Sequence, residues 1–162
     1  MTKPSHLVSS GTLVLVDMQP AGFPLSRVAL PGVKREILQA IELGWPIVLV
    51  EFDLECCKNT DAEIMAILDE SKYSAWRVVT KTVEDGSPAV IASCSENGFP
   101  QNLFRVAGVM TDVCVAATAI GLVRLVNNCQ VEVIKDACAT WSGRRYDWNT
   151  FPKDPRLALV DA

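Results

Sequence analysis

Spacing is what the cysteines lack. Six are present (Cys56, Cys57, Cys94, Cys114, Cys129 and Cys138), yet no two form a CxxC pair. That leaves no basis for a thioredoxin-type redox motif or a zinc knuckle. Histidine is nearly absent: the single one, His6, precedes the first strand and reads as a surface residue. No basic stripe exists; the net charge is −4 with both signs interspersed, so nucleic acid is not an expected partner. No apolar run is long enough to span a bilayer. The longest, Val113 to Val126, is broken by Thr118, Gly121 and Arg124, so no membrane partner is expected. The first apolar run, Leu13 to Val16, is too short for a signal h-region. Neither end carries a lipidation motif. Repeats, low-complexity tracts and linkers are also missing. The chain therefore reads as a soluble cytoplasmic protein.

What is present is core-forming material. Hydrophobic residues make up 49% of the 162, which suits one domain over residues 1–162 and excludes a disordered chain. With a core and no secretion signal, the cysteines read as free thiols, the adjacent Cys56 and Cys57 included.

Strand-like and helix-like segments alternate. Thr12 to Val16 and Ile47 to Phe52 are continuous aliphatic runs of the kind buried on both sides in a parallel sheet. Trp76 to Thr80, Leu103 to Val109, Val131 to Ile134 and a short edge run, Leu157 to Val160, are the further strands. Pro31-Gly32 reads as loop punctuation, followed by a helix from Val33 to Leu43 that Gly44 stops. Thr60 or Asp61 caps a second helix, and Ser87-Pro88 starts a third that Gly98 closes. Thr111 or Asp112 caps a fourth, from Val113 to about Asn127. Trp141 to Pro155 has no clear period. The fold class expected is a three-layer α/β/α domain: a Rossmann-like, mostly parallel sheet of five to six strands with helices on both faces. In such a sheet the strand carboxyl ends form the binding edge.

Three chemically capable residues fall on that edge. Asp17 follows the first strand, Lys81 follows the third, and Cys114 lies in the first turn after the fourth. They meet if those strands are close. A thiol with its ordinary pKa of ~8.5 is mostly protonated at neutral pH. A helix start and a lysine ammonium would favour the thiolate, and Asp17 would accept the proton. The turn Gly108-Val109-Met110-Thr111 has amides to offer a developing oxyanion.

These segments resemble the isochorismatase-like cysteine hydrolases, the superfamily of nicotinamidases, N-carbamoylsarcosine amidases and isochorismatases. LVLVDMQ (Leu13 to Gln19) resembles the strand with the family's aspartate, VVTK (Val78 to Lys81) the strand with its lysine, and VAGVMTDVCVAATA (Val106 to Ala119) its nucleophile motif. KDAC (Lys135 to Cys138) resembles the end of the fifth strand. The resemblance implies Asp17 as general base, Lys81 as the cation beside the thiolate and Cys114 as nucleophile. It implies a cis Val109–Met110 peptide, an oxyanion hole from the Met110 and Cys114 amides, and a substrate pocket including Phe23, Val109 and Thr111. It also implies a homo-oligomer, dimer or higher. Where nicotinamidases carry metal ligands after the second strand, this chain reads FDLECC (Phe52 to Cys57) without histidine. No metal and no cofactor are expected. Trp76, Trp141 and Trp148 read first as packing residues.

The function expected is metal-independent hydrolysis of a small amide-like substrate through a thioester on Cys114. The alternatives are a non-catalytic small-molecule-binding or interaction protein on the same fold and isochorismatase-type vinyl-ether hydrolysis, which does not need the thiol. A thiol-redox protein is the weakest alternative, since no cysteine neighbours Cys114 in sequence.

Overall fold

The structure is a computed structural model that describes residues 9–141 and 145–162; His6 lies outside the described residues. β1 (Thr12–Val16), β2 (Ile47–Phe52), β3 (Trp76–Lys81), β4 (Leu103–Val109), β5 (Gln130–Ala139) and β6 (Leu157–Val160) form one sheet in the order β3-β2-β1-β4-β5-β6. Every pairing is parallel. Between them come α1 (Ser26–Leu43), α2 (Ala62–Glu70), α3 (Ser87–Asn97) and α4 (Ala116–Leu125). The arrangement is the expected three-layer α/β/α architecture, with six strands, all parallel.

The aliphatic runs explain the middle of the sheet. β1 is buried along its whole length, because side chains alternate between two faces and each face is covered by helices. Leu13 and Leu15 point into one core with Val33 and Ile37 of α1. Val14 and Val16 point into the other with Ala119 and Leu122 of α4. β3, at the edge, is mostly exposed.

The helix boundaries bring corrections. α1 begins at Ser26 and runs straight through Pro31 and Gly32, which the sequence suggested as a loop. Packing decides this: a Cβ on Gly32 would lie 2.3 Å from the Asp136 carbonyl oxygen, so the bare glycine lets α1 press against β5. Asp61 caps α2 as expected, accepting from the Glu63 amide at 2.9 Å. Ser87 does not cap α3. It is the first helical residue, its hydroxyl has no partner among the described residues, and Asp85 accepts from its amide at 2.8 Å. The fourth helix is shorter than its pattern: a π turn occupies Thr111–Val115, and α-geometry covers only Ala116–Leu125. β5 extends well beyond Ile134, after a register shift between Val106 and Gly108 on its partner β4.

A second polar anchor lies within the α1 face. Glu36 is buried and receives two hydrogen bonds from the Arg105 guanidinium, at 2.9 and 3.1 Å, while Arg105 also donates to Glu132 at 2.7 Å. None of the described helices is long and apolar enough to cross a membrane.

Candidate active site

β1 ends where Asp17 turns the chain. Its amide still donates to the Val50 carbonyl of β2 at 2.9 Å, but its φ is +51°, and the chain leaves the sheet. Beside it, Gly108 of β4 has φ +123°; a Cβ there would stand 2.1 Å from the Val16 carbonyl oxygen. Only glycine lets β4 pass so close to the residue before Asp17. β2 lies between β1 and β3, so Lys81 must reach across it. Phe52, the last residue of β2, pairs in register with Lys81, and the ammonium sits 4.6 Å from the centre of its ring.

The ammonium arrives 2.9 Å from the Asp17 carboxylate, and both side chains are buried. It also donates to the Glu84 carbonyl at 3.0 Å. Among the described residues neither Asp17 oxygen receives a well-directed hydrogen bond, so the 2.9 Å contact acts through charge more than direction. Burial raises the Asp17 pKa above its ordinary value; the Lys81 charge and the Cys114 thiol oppose that shift without cancelling it.

Cys114 faces this pair from the π turn and is 4% exposed. Burial first, then the Asp17 charge, push its thiol up to about 11, against a smaller lowering by Lys81. The direction of that shift favours the thiol over the thiolate that helix start and lysine suggested. The lysine charge is spent on Asp17, and the turn holding Cys114 is too short and too buried to compensate. Burial and the Asp17 charge thus favour a protonated sulfur beside the Asp17 carboxyl group. Moving that proton from Cys114 to Asp17 leaves the net charge of the trio unchanged, which a buried site tolerates better than losing it to solvent.

The Val109–Met110 peptide is cis. The Val113 and Val115 amides both donate to the Met110 carbonyl at 3.1 Å, and the Cys114 amide between them does not. A π turn was not legible in a continuous apolar run. Phe52 and the Glu84 carbonyl were also missed; the pairing of β2 with β3 is the information that reveals them.

Asp17, Lys81 and Cys114 are all buried. A cleft of about 390 Å³ is bounded by Leu25, by Val28 of α1, and by Thr111, Cys138, Tyr146 and Trp148, among others. Thr111 is buried, and its hydroxyl lacks a partner among the described residues. Val109, the last residue of β4, is buried in the core, and Phe23 packs half-buried against Phe52, ring centres 6.3 Å apart. Neither borders the cleft. Trp148 does line it, in edge contact with Tyr146 at 5.0 Å, while Trp76 packs on the core and Trp141 is exposed. Among the described residues no three His, Cys, Asp or Glu side chains gather as metal ligands.

No protein-family model and no curated protein sequence matches the chain. Solved structures do. N-carbamoylsarcosine amidase from Thermoplasma acidophilum superposes with a TM-score of 0.69 at 18% identity, over 94% of this chain and 96% of that one. The nicotinamidase from Staphylococcus aureus gives 0.67 at 18%, over 81% and 83%. An isochorismatase-like hydrolase from Alkaliphilus metalliredigens gives 0.66 at 16%, over 94% and 95%. The fold is thus that of the isochorismatase-like hydrolases.

Proposed function

We propose that this protein is a hydrolase of a small amide-type substrate, acting through a thioester on Cys114 without a metal. The observation that carries the reading is the buried Asp17–Lys81 pair, 2.9 Å apart, with the Cys114 thiol against it. A carboxylate, an ammonium and a thiol enclosed together have no packing role that apolar residues would not fill more cheaply.

In this reading Asp17 takes the Cys114 proton as sulfur attacks the carbonyl carbon. The amides of Met110 and Cys114 receive the oxyanion, and Lys81 keeps Asp17 in position. The C–N bond then breaks, and Asp17 returns its proton to the departing nitrogen. Water, losing a proton to Asp17, cleaves the thioester; the C–S bond breaks and sulfur recovers its proton. The trio is buried, and in this reading substrate reaches it from the cleft that Thr111 lines. The fold shared with an amidase and a nicotinamidase supports amide chemistry. The reading also treats residues 1–162 as one domain of a cytoplasmic homo-oligomer, dimer or larger.

The test is a panel of small primary and N-carbamoyl amides assayed for released ammonia, with intact-mass measurement during turnover. Ammonia release that Cys114→Ala abolishes, together with an acyl adduct on Cys114, is the expected result. A binding protein on the same fold is the second reading, favoured by the burial of Cys114. It predicts saturable binding of a small molecule, no adduct and no release.

A further inference from the structure

The turn after β2 carries two thiols that the proposed reaction does not use. It is closed by the Cys57 amide, which donates to the Leu54 carbonyl at 2.9 Å, and it brings the Cys56 and Cys57 sulfurs to 3.9 Å. Cys56 is exposed and Cys57 is buried. Cys57 also packs directly on the segment that follows Asp17. A Cβ at Gly22 would lie 2.4 Å from its sulfur and 2.7 Å from its Cα. Gln19 ties the same two segments together: its side chain donates to the Lys58 carbonyl at 2.6 Å and accepts from the Phe52 amide at 2.7 Å. The position of the Cys57 sulfur and the path of the chain from Asp17 to Gly22 are therefore mechanically linked.

We propose that Cys56 and Cys57 are a modification site, a vicinal dithiol that hydroperoxides oxidise reversibly to a Cys56–Cys57 disulfide, which withdraws Cys57 from Gly22 and slows chemistry at Cys114. The last clause rests on the hydrolase reading; the disulfide itself does not. The Cys56 sulfur, open to solvent, attacks a peroxide oxygen. The O–O bond breaks, an alcohol leaves with the thiol proton, and Cys56 becomes a sulfenic acid. The Cys57 sulfur then attacks the Cys56 sulfur, and the S–O bond breaks. The hydroxide leaves as water with the Cys57 proton. Two thiols are oxidised by two electrons and one peroxide is reduced.

Geometry makes this bond both consequential and easily reversed. Closing the sulfurs from 3.9 Å to the ~2.05 Å of a disulfide pulls Cys57 off Gly22. Adjacent Cα atoms are ~3.8 Å apart, below the usual ~4.4–6.8 Å across a disulfide, so the turn must rearrange. Strained, exposed disulfides are the readily reduced ones.

The experiment treats the reduced full-length protein with equimolar hydrogen peroxide, quenches with an alkylating agent and maps the peptides by mass spectrometry. The peptide bearing Cys56 and Cys57 should lose two hydrogens and regain them with dithiothreitol, in the wild type and in Cys114→Ser alike. Cys57→Ser should instead accumulate oxygen on Cys56. Cys114 alkylation should slow severalfold in the oxidised wild type and stay unchanged in peroxide-treated Cys56→Ser. A peptide that stays reduced, gains oxygen without losing the hydrogens, or crosslinks to another cysteine overturns the proposal. A disulfide that leaves Cys114 alkylation unchanged overturns the coupling. A Cys114 that no alkylating agent reaches in either redox state overturns the coupling together with the hydrolase reading, while the disulfide stands.

Discussion

The Lys81 ammonium and the Asp17 carboxylate lie 2.9 Å apart, although the strands that carry them are separated by β2. Both are buried, so each charge depends on the other for what water no longer provides. Removing one partner strands the other. Lys81→Met is expected to destabilise the fold by about 3–5 kcal/mol. The double variant Asp17→Asn/Lys81→Met should recover a good part of that loss, since it leaves no lone charge. Urea denaturation of the wild type, both single variants and the double variant measures the difference. A double variant as unstable as the sum of the singles would show that the pair contributes nothing as a pair.

Cys114 should alkylate slowly at neutral pH, with its rate climbing towards an inflection near the thiol value of about 11. Asp17→Asn removes a charge that raises that value, so its inflection moves down; Lys81→Met removes a charge that lowers it, so its inflection moves up. Iodoacetamide labelling against pH, read by mass spectrometry, checks both directions. An inflection well below pH 9 in the wild type would contradict the geometry.

The buried thiols also predict how stability depends on pH. Cys94 and Cys114 are pushed up to about 11, from an ordinary 9.0, chiefly by burial. Below pH 9 folded and unfolded chains are protonated alike at these groups. Between 9 and about 11 the unfolded chain gives up protons that the folded chain keeps, so the folded state loses stability as pH rises. The urea midpoint should fall steadily across that window. Cys94→Ala should show a shallower fall, whatever its stability at neutral pH.

Gly108→Ala tests the approach of β4 to β1. The new methyl would meet the Val16 carbonyl at 2.1 Å, at a φ of +123° that other residues rarely adopt. Strain and overpacking together should cost about 3 kcal/mol or more. Because Val16 precedes Asp17, Cys114 alkylation should change as well. Thermal denaturation and labelling of the same sample measure the two effects.

Arg105→Ala supplies the contrast. It leaves Glu36 buried without its guanidinium and should cost about 3–5 kcal/mol. Glu132→Ala, at a half-exposed partner, should cost under about 1 kcal/mol. Arg105 lies towards the amino end of β4, away from the reactive edge, so the labelling rate of Cys114 in the folded protein should be unchanged in both.

Much of the fold was legible because its information is local. Continuous aliphatic runs such as Thr12–Val16 can be buried only on both faces, and the turn residues between them mark alternation. Asp17, Lys81 and Cys114 were legible for the same reason: each stands at the end of a readable strand. Pro31 and Gly32 were misread because their helix is held by contact with β5, a partner far away in the chain. The π turn at Thr111–Val115 was invisible because its residues are as apolar as those of a continuing α-helix.

By itself, then, the order of residues determined the alternating elements, their burial on two faces and the edge on which the reactive groups stand. Strand order, and with it the reach of Lys81 across β2 to Asp17, came only with the tertiary structure. So did the direction in which Asp17 and Cys114 are biased towards their protonated forms. Whether Lys81 favours a thiolate or a carboxylate depends on which anion lies nearer and how deeply both are buried. Those are distances through space between strands distant in sequence, and no local pattern encodes them.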